Sequence, residues 1–501
     1  MKRILSVLLA ALFLLAALAA CGEAETPADT TAGPDAVTTD GAVTDPPAAT
    51  EYAPSNVPED LKFPGKKIKF LYWSDVEREE FFVEEENGEK VHDAIHKKNL
   101  VTEGQLGVTL EWIPQVGNFG NQAAFVSAAE NSVKGGEDTA YDFYCSYSLA
   151  APTMALRGLS QNMLDYPIID LSQPWWPSSL VSQATIGGRL YFVSGDLSTN
   201  LLYFMYAMFF NKDLYDSYHN GERSLYDTVT SGEWTFDELL RVCEGVYDDF
   251  NKNGTADYGD LFGFQSIDLH FDAFYIGSAL KNLEVDGDGR IVASDDFDSE
   301  RATELAERLC QFLFKSGYAF GKGTTSNYSS AQAFAKGEAM IVCDRVYIAS
   351  GTLKSSDVNY GIIPVPKYNA DQEDYVTCMA FPYTMYSMSV ASPDKEAAAA
   401  TLEVMCYTSY VNIKPALFEE SMKARYSREA NDAKMYDIIY GNVFFELGRI
   451  FTTDTKNIPY SVFRDAIKSN QGSFYKRLSG TGKKQLVEYC KTINESLEKI
   501  R

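Results

Sequence analysis

Lys67-Ile68-Lys69-Phe70-Leu71-Tyr72 reads as a short apolar strand, and its pattern together with that of residues 92–144 decides the fold. Residues 92–106 carry helical spacing, 108–113 read as a second strand, 121–134 as a second helix, and 140–144 as a third strand. Short strands alternating with amphipathic helices predict an α/β protein whose first part is doubly wound. Ligands of such a lobe bind beyond the carboxyl ends of its strands. The segments just after the first and third strands, residues 73–77 and 145–150, are therefore where a site is expected.

Working outward, residues 61–501 are long for one core and natural for two lobes. Apolar residues make up 45% of the chain, with 31 Tyr and 30 Phe, which argues for a packed protein rich in flat amphipathic faces. The formal charge of -26 makes nucleic acid and anionic headgroups poor partners. Besides Cys21, cysteines stand at 145, 243, 310, 343, 378, 406 and 490, with no C-x-x-C pair, so a disulfide framework is not expected.

At the amino terminus, Lys2 and Arg3 precede an apolar run from Ile4 to Leu18, too short to span a bilayer comfortably. The run ends in Leu18-Ala19-Ala20-Cys21, which resembles the lipobox of a bacterial lipoprotein signal peptide. That resemblance implies removal of residues 1–20, a diacylglyceryl group on Cys21, and a protein lipid-anchored to the cell membrane and facing the exterior. Two acyl chains make a stable anchor where one is marginal. An ordinary signal peptide or an uncleaved anchor is the alternative, and either also places the bulk of the chain outside. Residues 21–60 are rich in Thr, Ala, Pro, Asp and Glu and bury too little to fold, so they read as a disordered tether with a reach on the order of 35 Å.

Several stretches carry a family resemblance. Gly187-Gly188-Arg189-Leu190-Tyr191-Phe192, Phe210-Asn211-Lys212-Asp213-Leu214, and the run from Gly232 through Trp234, Thr235 and Glu238 to Leu239 look like successive signatures. Ala333-Phe334-Ala335-Lys336-Gly337-Glu338-Ala339-Met340 and Tyr360-Gly361-Ile362-Ile363-Pro364-Val365-Pro366 come next in order. Together they resemble the family 1 extracellular solute-binding proteins, the lipoprotein receptors of ABC importers, commonly for sugars. The resemblance implies a two-lobed periplasmic-binding-protein-like fold of class II type, with hinged lobes and a ligand cleft. It places residues 61–200 with 382–445 in one lobe and 208–375 with 446–501 in the other, with crossings near 201–207, near 376–381 and near the C-terminal helices. It implies capture of a small solute, a sugar or oligosaccharide, delivered to ABC permease subunits without chemistry of its own, and the long tether predicts a monomer. Locally, Thr235 with Glu238 reads as a capping box and Gly337 as a helix terminus, which makes Trp234 a packing residue.

A sugar site needs aromatic faces and hydrogen-bonding groups. The candidate ligand-binding residues are Trp73 and Asp75 after the first strand, Ser146 and Tyr147 after the third, Asn200 near the first crossing, and Asp344, Arg345 and Tyr347 beyond Met340. Trp175 and Trp176 read either as a stacking platform or as core. A second constellation, Asp249-x-Asn251-x-Asn253-Gly254-Thr255-x-Asp257-x-x-Asp260, resembles an EF-hand calcium loop. It departs from that pattern at Asp260, where Glu is usual, and at Ala256. The expectation is a structural calcium ion and no organic cofactor. Asp286-Gly287-Asp288-Gly289 is too short for such a loop and reads as a hairpin turn.

Enzyme motifs are thin. His92-Asp93-Ala94-Ile95-His96 looks like H-E-x-x-H with Asp for Glu, a carboxylate too short to reach as the base, and it reads as the start of a helix. Gly321-Lys322-Gly323 and Gly480-Thr481-Gly482-Lys483 lack the context of a phosphate loop. A surface carbohydrate hydrolase or lyase, which needs two carboxylates across a cleft, and a sensor subunit of a membrane kinase are the alternatives.

Overall fold

The strand-helix alternation of residues 67–147 is realised as a parallel core extended by a strand from far along the chain. A computed structural model describes residues 55–136, 140–321, 329–423 and 430–500, without the side chains of 419–423 and 430, and all of these fall in one compact unit. Cys21, the expected signal peptide, and nearly all of the tether lie outside the described residues.

Strand β1 (Lys67–Trp73) pairs in parallel with β2 (Thr109–Gln115) and β3 (Phe143–Tyr147), placing Phe70 beside Trp112 on one side and Phe143 on the other. Helix Lys90–Leu106 links β1 to β2, and helix Gln122–Gly135 leads on from β2. The third strand starts three residues later than its apolar pattern suggested, so Ser146 and Tyr147 lie within it. All five of its residues are buried, because both faces of the sheet are covered, and continuous burial leaves no alternation to mark the strand's ends.

A second sheet is built from β4 (Tyr206–Asn211), β5 (Leu261–Gln265), β6 (Ala339–Arg345) and β7 (Tyr360–Ile363), in the order β7-β4-β6-β5. The short strands Tyr247–Asp248 and Ala319–Phe320 pair with β5. The chain then returns to the first sheet as β8 (Thr384–Met388), antiparallel to β3 with Thr384 opposite Tyr147. Two passages between the sheets run side by side: Met205 bridges Met379, and the Ala380 amide donates to the Phe204 carbonyl at 2.9 Å.

Local chemistry accounts for the element ends. Gly187 and Gly188 both take positive φ in a tight turn closed by mutual hydrogen bonds of Ile186 and Arg189, which suits a residue without a Cβ. Thr235 Oγ1 accepts the Glu238 amide at 3.3 Å, capping helix Phe236–Cys243, and the Trp234 indole is fully buried, donating to the Pro364 carbonyl. Gly337 has φ +76 after helix Ser330–Ala335. The 286–289 turn joins the strands Leu283–Val285 and Ile291–Ala293 as a hairpin. Each of the seven cysteines from Cys145 to Cys490 is buried and unbridged.

Candidate functional site

The strand ends of both sheets converge on one region. β1 and β3 end at Trp73 and Tyr147; β6 ends at Arg345, paired with Tyr206, where antiparallel β4 begins. Glu77, exposed just beyond β1, lies near enough to Tyr147 and to Arg345 for its charge to act on both. Burial first, and Glu77 second, push the Tyr147 phenol up, so it stays a neutral hydroxyl.

The wall contributed by the second sheet is rich in guanidinium groups. Asp272 accepts Arg464 Nε at 2.9 Å and Arg464 Nη2 at 2.5 Å, and also pairs with Arg449. Arg449 Nε donates to the Met379 carbonyl at 3.0 Å, tying this group to the second passage between sheets. Its guanidinium lies 4.0 Å from the Phe381 ring centre, and that of Arg464 lies 4.5 Å from Tyr460. Asp344 is buried; its Oδ1 accepts the Arg345 amide at 2.7 Å and Arg345 Nε at 3.3 Å, with His270 Nε2 3.5 Å away. Burial lowers the His270 pKa, favouring the neutral ring, whose Nδ1 lies 2.7 Å from the Cys343 carbonyl.

Around this wall stand the other expected site residues. Tyr347 is half-buried and stacks on Phe204 with centroids 5.6 Å apart, and Arg78 lies over both Tyr347 and Tyr203. Trp73 is fully buried, edge-on to Tyr147, with its indole donating to Thr384 Oγ1 at 2.7 Å. Asp75 accepts the Gly117 and Asn118 amides at 2.7 and 3.0 Å, pinning the loop after β2. Ser146 is buried, and its hydroxyl has no partner among the described residues. Asn200 is buried and donates to Glu80 from both its amide and its side chain. The structure therefore places Asp344, Arg345 and Tyr347 at and just beyond the end of β6 and Tyr147 at the end of β3, while Trp73, Asp75 and Asn200 brace the neighbouring loops.

Glu77, Arg78, Tyr203 and Tyr347 line a cavity of about 320 Å³ with Glu79, Glu89, Val91 and His92. A larger cavity of about 540 Å³, between helices Gln122–Gly135, Ala150–Leu156 and Tyr475–Lys499, contains none of the expected site residues. Sequence reasoning passed over Arg78, Tyr203, Tyr206, Asp272, Arg449, Tyr460 and Arg464. Only Arg78 carried a signal, its position directly after the first strand's loop.

Trp175 and Trp176 are core. Their indole nitrogens each donate at 3.0 Å to one carboxylate oxygen of buried Glu403. His92 and His96 belong to helix Lys90–Leu106, and His96 Nδ1 lies 2.8 Å from the Val83 carbonyl.

The loop at 249–260 folds around its own oxygens. Asp249 accepts the Asn253 and Gly254 amides at 3.2 and 2.8 Å, and Asn253 Oδ1 accepts the Thr255 amide at 2.7 Å. Asn251 and Asn253 donate to Asp257, and Asp260 is fully buried with Oδ1 unpartnered. Among the described residues no three His, Cys, Asp or Glu side chains gather as a metal-holding group.

Solved structures share this architecture. The GacH receptor of Streptomyces glaucescens, solved unliganded and with acarbose, superposes with a TM-score of 0.54 at 14% identity, covering 85% of this chain and 99% of that one. The fold is that of the ABC solute-binding proteins. The cyclic α-maltosyl-1,6-maltose binding protein from Arthrobacter globiformis gives 0.57 at 13% identity, covering 85% and 99%. The ABC substrate-binding protein Lmo0181 from Listeria monocytogenes, in complex with cycloalternan, gives 0.51 at 13% identity, covering 87% and 99%. No protein-family model and no curated protein sequence matches the chain.

Proposed function

We propose that this protein is a lipid-anchored extracellular receptor that captures a small saccharide between its two sheets and hands it to an ABC permease. The observation that carries this reading is the convergence of strand ends from both sheets on a region lined by tyrosine faces and by arginine and carboxylate groups. A pyranose presents an apolar face and a rim of hydroxyls, and that wall offers partners for each. The paired passages at Phe204–Met205 and Met379–Ala380 supply the hinge, and closing on ligand shifts the population toward the closed form. The similar structures from Streptomyces and Listeria were solved with saccharides bound, which supports the same cargo class here. Anchoring through Cys21 rests on the lipobox resemblance alone.

Binding without turnover follows from the same wall. Its two buried carboxylates, Asp272 and Asp344, are engaged by guanidinium groups.

The loop at 249–260 is proposed to hold a structural calcium ion, with Asp249, Asn251, Asn253, Asp257, Asp260 and the Thr255 carbonyl as ligands. Calcium takes six to eight oxygens. The unpartnered, buried Asp260 Oδ1 is the feature that a cation would satisfy.

A thermal-shift screen against mono- and oligosaccharides, amino acids and peptides tests the receptor reading. A ligand at 100 times its Kd adds about 2.7 kcal/mol. A saccharide that stabilises and is recovered intact supports it; a response only to amino acids or peptides overturns the cargo, and a consumed saccharide overturns the binding role.

A further inference from the structure

Two guanidinium groups, one after β1 and one at the end of β6, flank the same tyrosine. Arg78 lies 4.5 Å from the Tyr203 centroid and 4.6 Å from that of Tyr347. Arg345 lies 5.2 Å from Phe204 and 5.9 Å from Tyr347. Their stacking fixes the orientation of both planes, and Asp344 holds Arg345 by its Nε alone. Among the described residues no side chain or carbonyl accepts a hydrogen bond from the terminal nitrogens of either group. Arg345 keeps 28% of its side chain exposed.

The neighbouring arginines differ. Arg449 and Arg464 both bind Asp272. Counting Arg345, Arg449 and Arg464 against Asp272 and Asp344, this wall by itself carries one guanidinium in excess, which Glu77 on the facing side opposes without an ion pair. His270 adds no charge, since burial favours its neutral form. Lys468 is balanced by Asp268. Facing the wall, the charged and titratable groups beside Arg78 are Glu77, Glu79 and Glu89, all exposed, and His92, which pairs with Glu89; among the described residues none of the three glutamates forms an ion pair with Arg345 or Arg78.

Burial separates the two signs. Exposed carboxylates keep their hydration and can turn to solvent, whereas a half-buried guanidinium has lost part of its water and gains most from an anionic partner. Its planar fork matches a carboxylate in a bidentate geometry that a hydroxyl cannot reproduce.

We propose that the solute is an acidic saccharide, whose carboxylate is read by Arg345 with Arg78 assisting from the opposite wall. This assignment rests on the receptor reading and deepens it.

The test is calorimetric titration of the full chain with tetramers of galacturonate, glucuronate and mannuronate, their methyl esters, and neutral tetrasaccharides. At least one acid should bind ten times or more tighter than its ester, and its affinity should fall with added salt. Arg345→Gln should weaken that binding at least tenfold. Arg345→Lys, which keeps the charge without the fork, should recover only part of it. Arg345→Gln leaves Asp344 without its partner and is checked for folding by its melting transition; Arg78→Gln breaks no ion pair and should weaken the acid severalfold while sparing the ester. Equal binding of acid and ester, or binding of neutral compounds alone, overturns the anionic assignment and leaves the saccharide receptor standing. Silence from the whole panel overturns both.

Discussion

Replacing Glu403 with Gln should change how stability depends on pH while leaving solute binding untouched. Glu403 is fully buried and takes one indole N–H from each of Trp175 and Trp176. Burial, the largest influence, raises its pKa from 4.5 to about 7 despite both hydrogen bonds. Each unit is worth 1.36 kcal/mol, so the difference between folded and unfolded chains amounts to about 3 kcal/mol. Because the folded pKa is the higher one, the native state binds more protons between pH 4.5 and about 7. The contribution of Glu403 is therefore fully present below pH 4.5 and is lost as pH rises through about 7. Glutamine does not titrate, and the other buried acids, such as Asp196 and Asp454, are common to both proteins. Urea unfolding across that range should show the stability of wild type relative to Glu403→Gln falling by about 3 kcal/mol from the acid end to the alkaline end. A difference that stays constant within about 0.5 kcal/mol refutes the buried-carboxylate reasoning. A tenfold change in solute affinity would return the two tryptophans to the ligand site.

Asp272→Asn leaves Arg449 and Arg464 facing each other without a counter-charge, and should cost about 3 to 5 kcal/mol in chemical denaturation; a loss under about 1 kcal/mol would show that the cluster is hydrated. Gly263→Ala places a Cβ 2.6 Å from the Cys243 carbonyl oxygen and should cost about 1 to 3 kcal/mol by the same assay, with unchanged stability refuting that close approach. Millimolar calcium should raise the melting temperature of the full chain but not of Asp249→Ala, and an equal response from the two would place any bound ion elsewhere.

How far the site could be read from the sequence differs residue by residue. The strand-end positions of Tyr147, Asp344, Arg345 and Tyr347 were reachable because strand ends can be located from apolar runs, which is also where a doubly wound sheet is expected to bind its ligands. Trp73 sits at such an end too, yet Thr384, more than three hundred residues later, takes its indole N–H and the sheet closes over its ring. Asp272, Arg449 and Arg464 were silent for the opposite reason. Each lies on an ordinary helical or loop stretch, and only the packing of helix Ile458–Lys468 beside the loop before Asp272 makes them one group.

The sequence by itself determined the alternation of strands and helices, the Thr235 cap and the 286–289 hairpin. These depend on a few adjacent residues and on backbone preferences that act over one turn. Tertiary structure decided which aromatic rings are buried and which stay partly exposed beside the strand ends, which charges pair, and that Trp175 and Trp176 are held by Glu403. Such outcomes depend on contacts between residues hundreds of positions apart, whose burial and hydrogen-bond partners exist only once both sheets have packed.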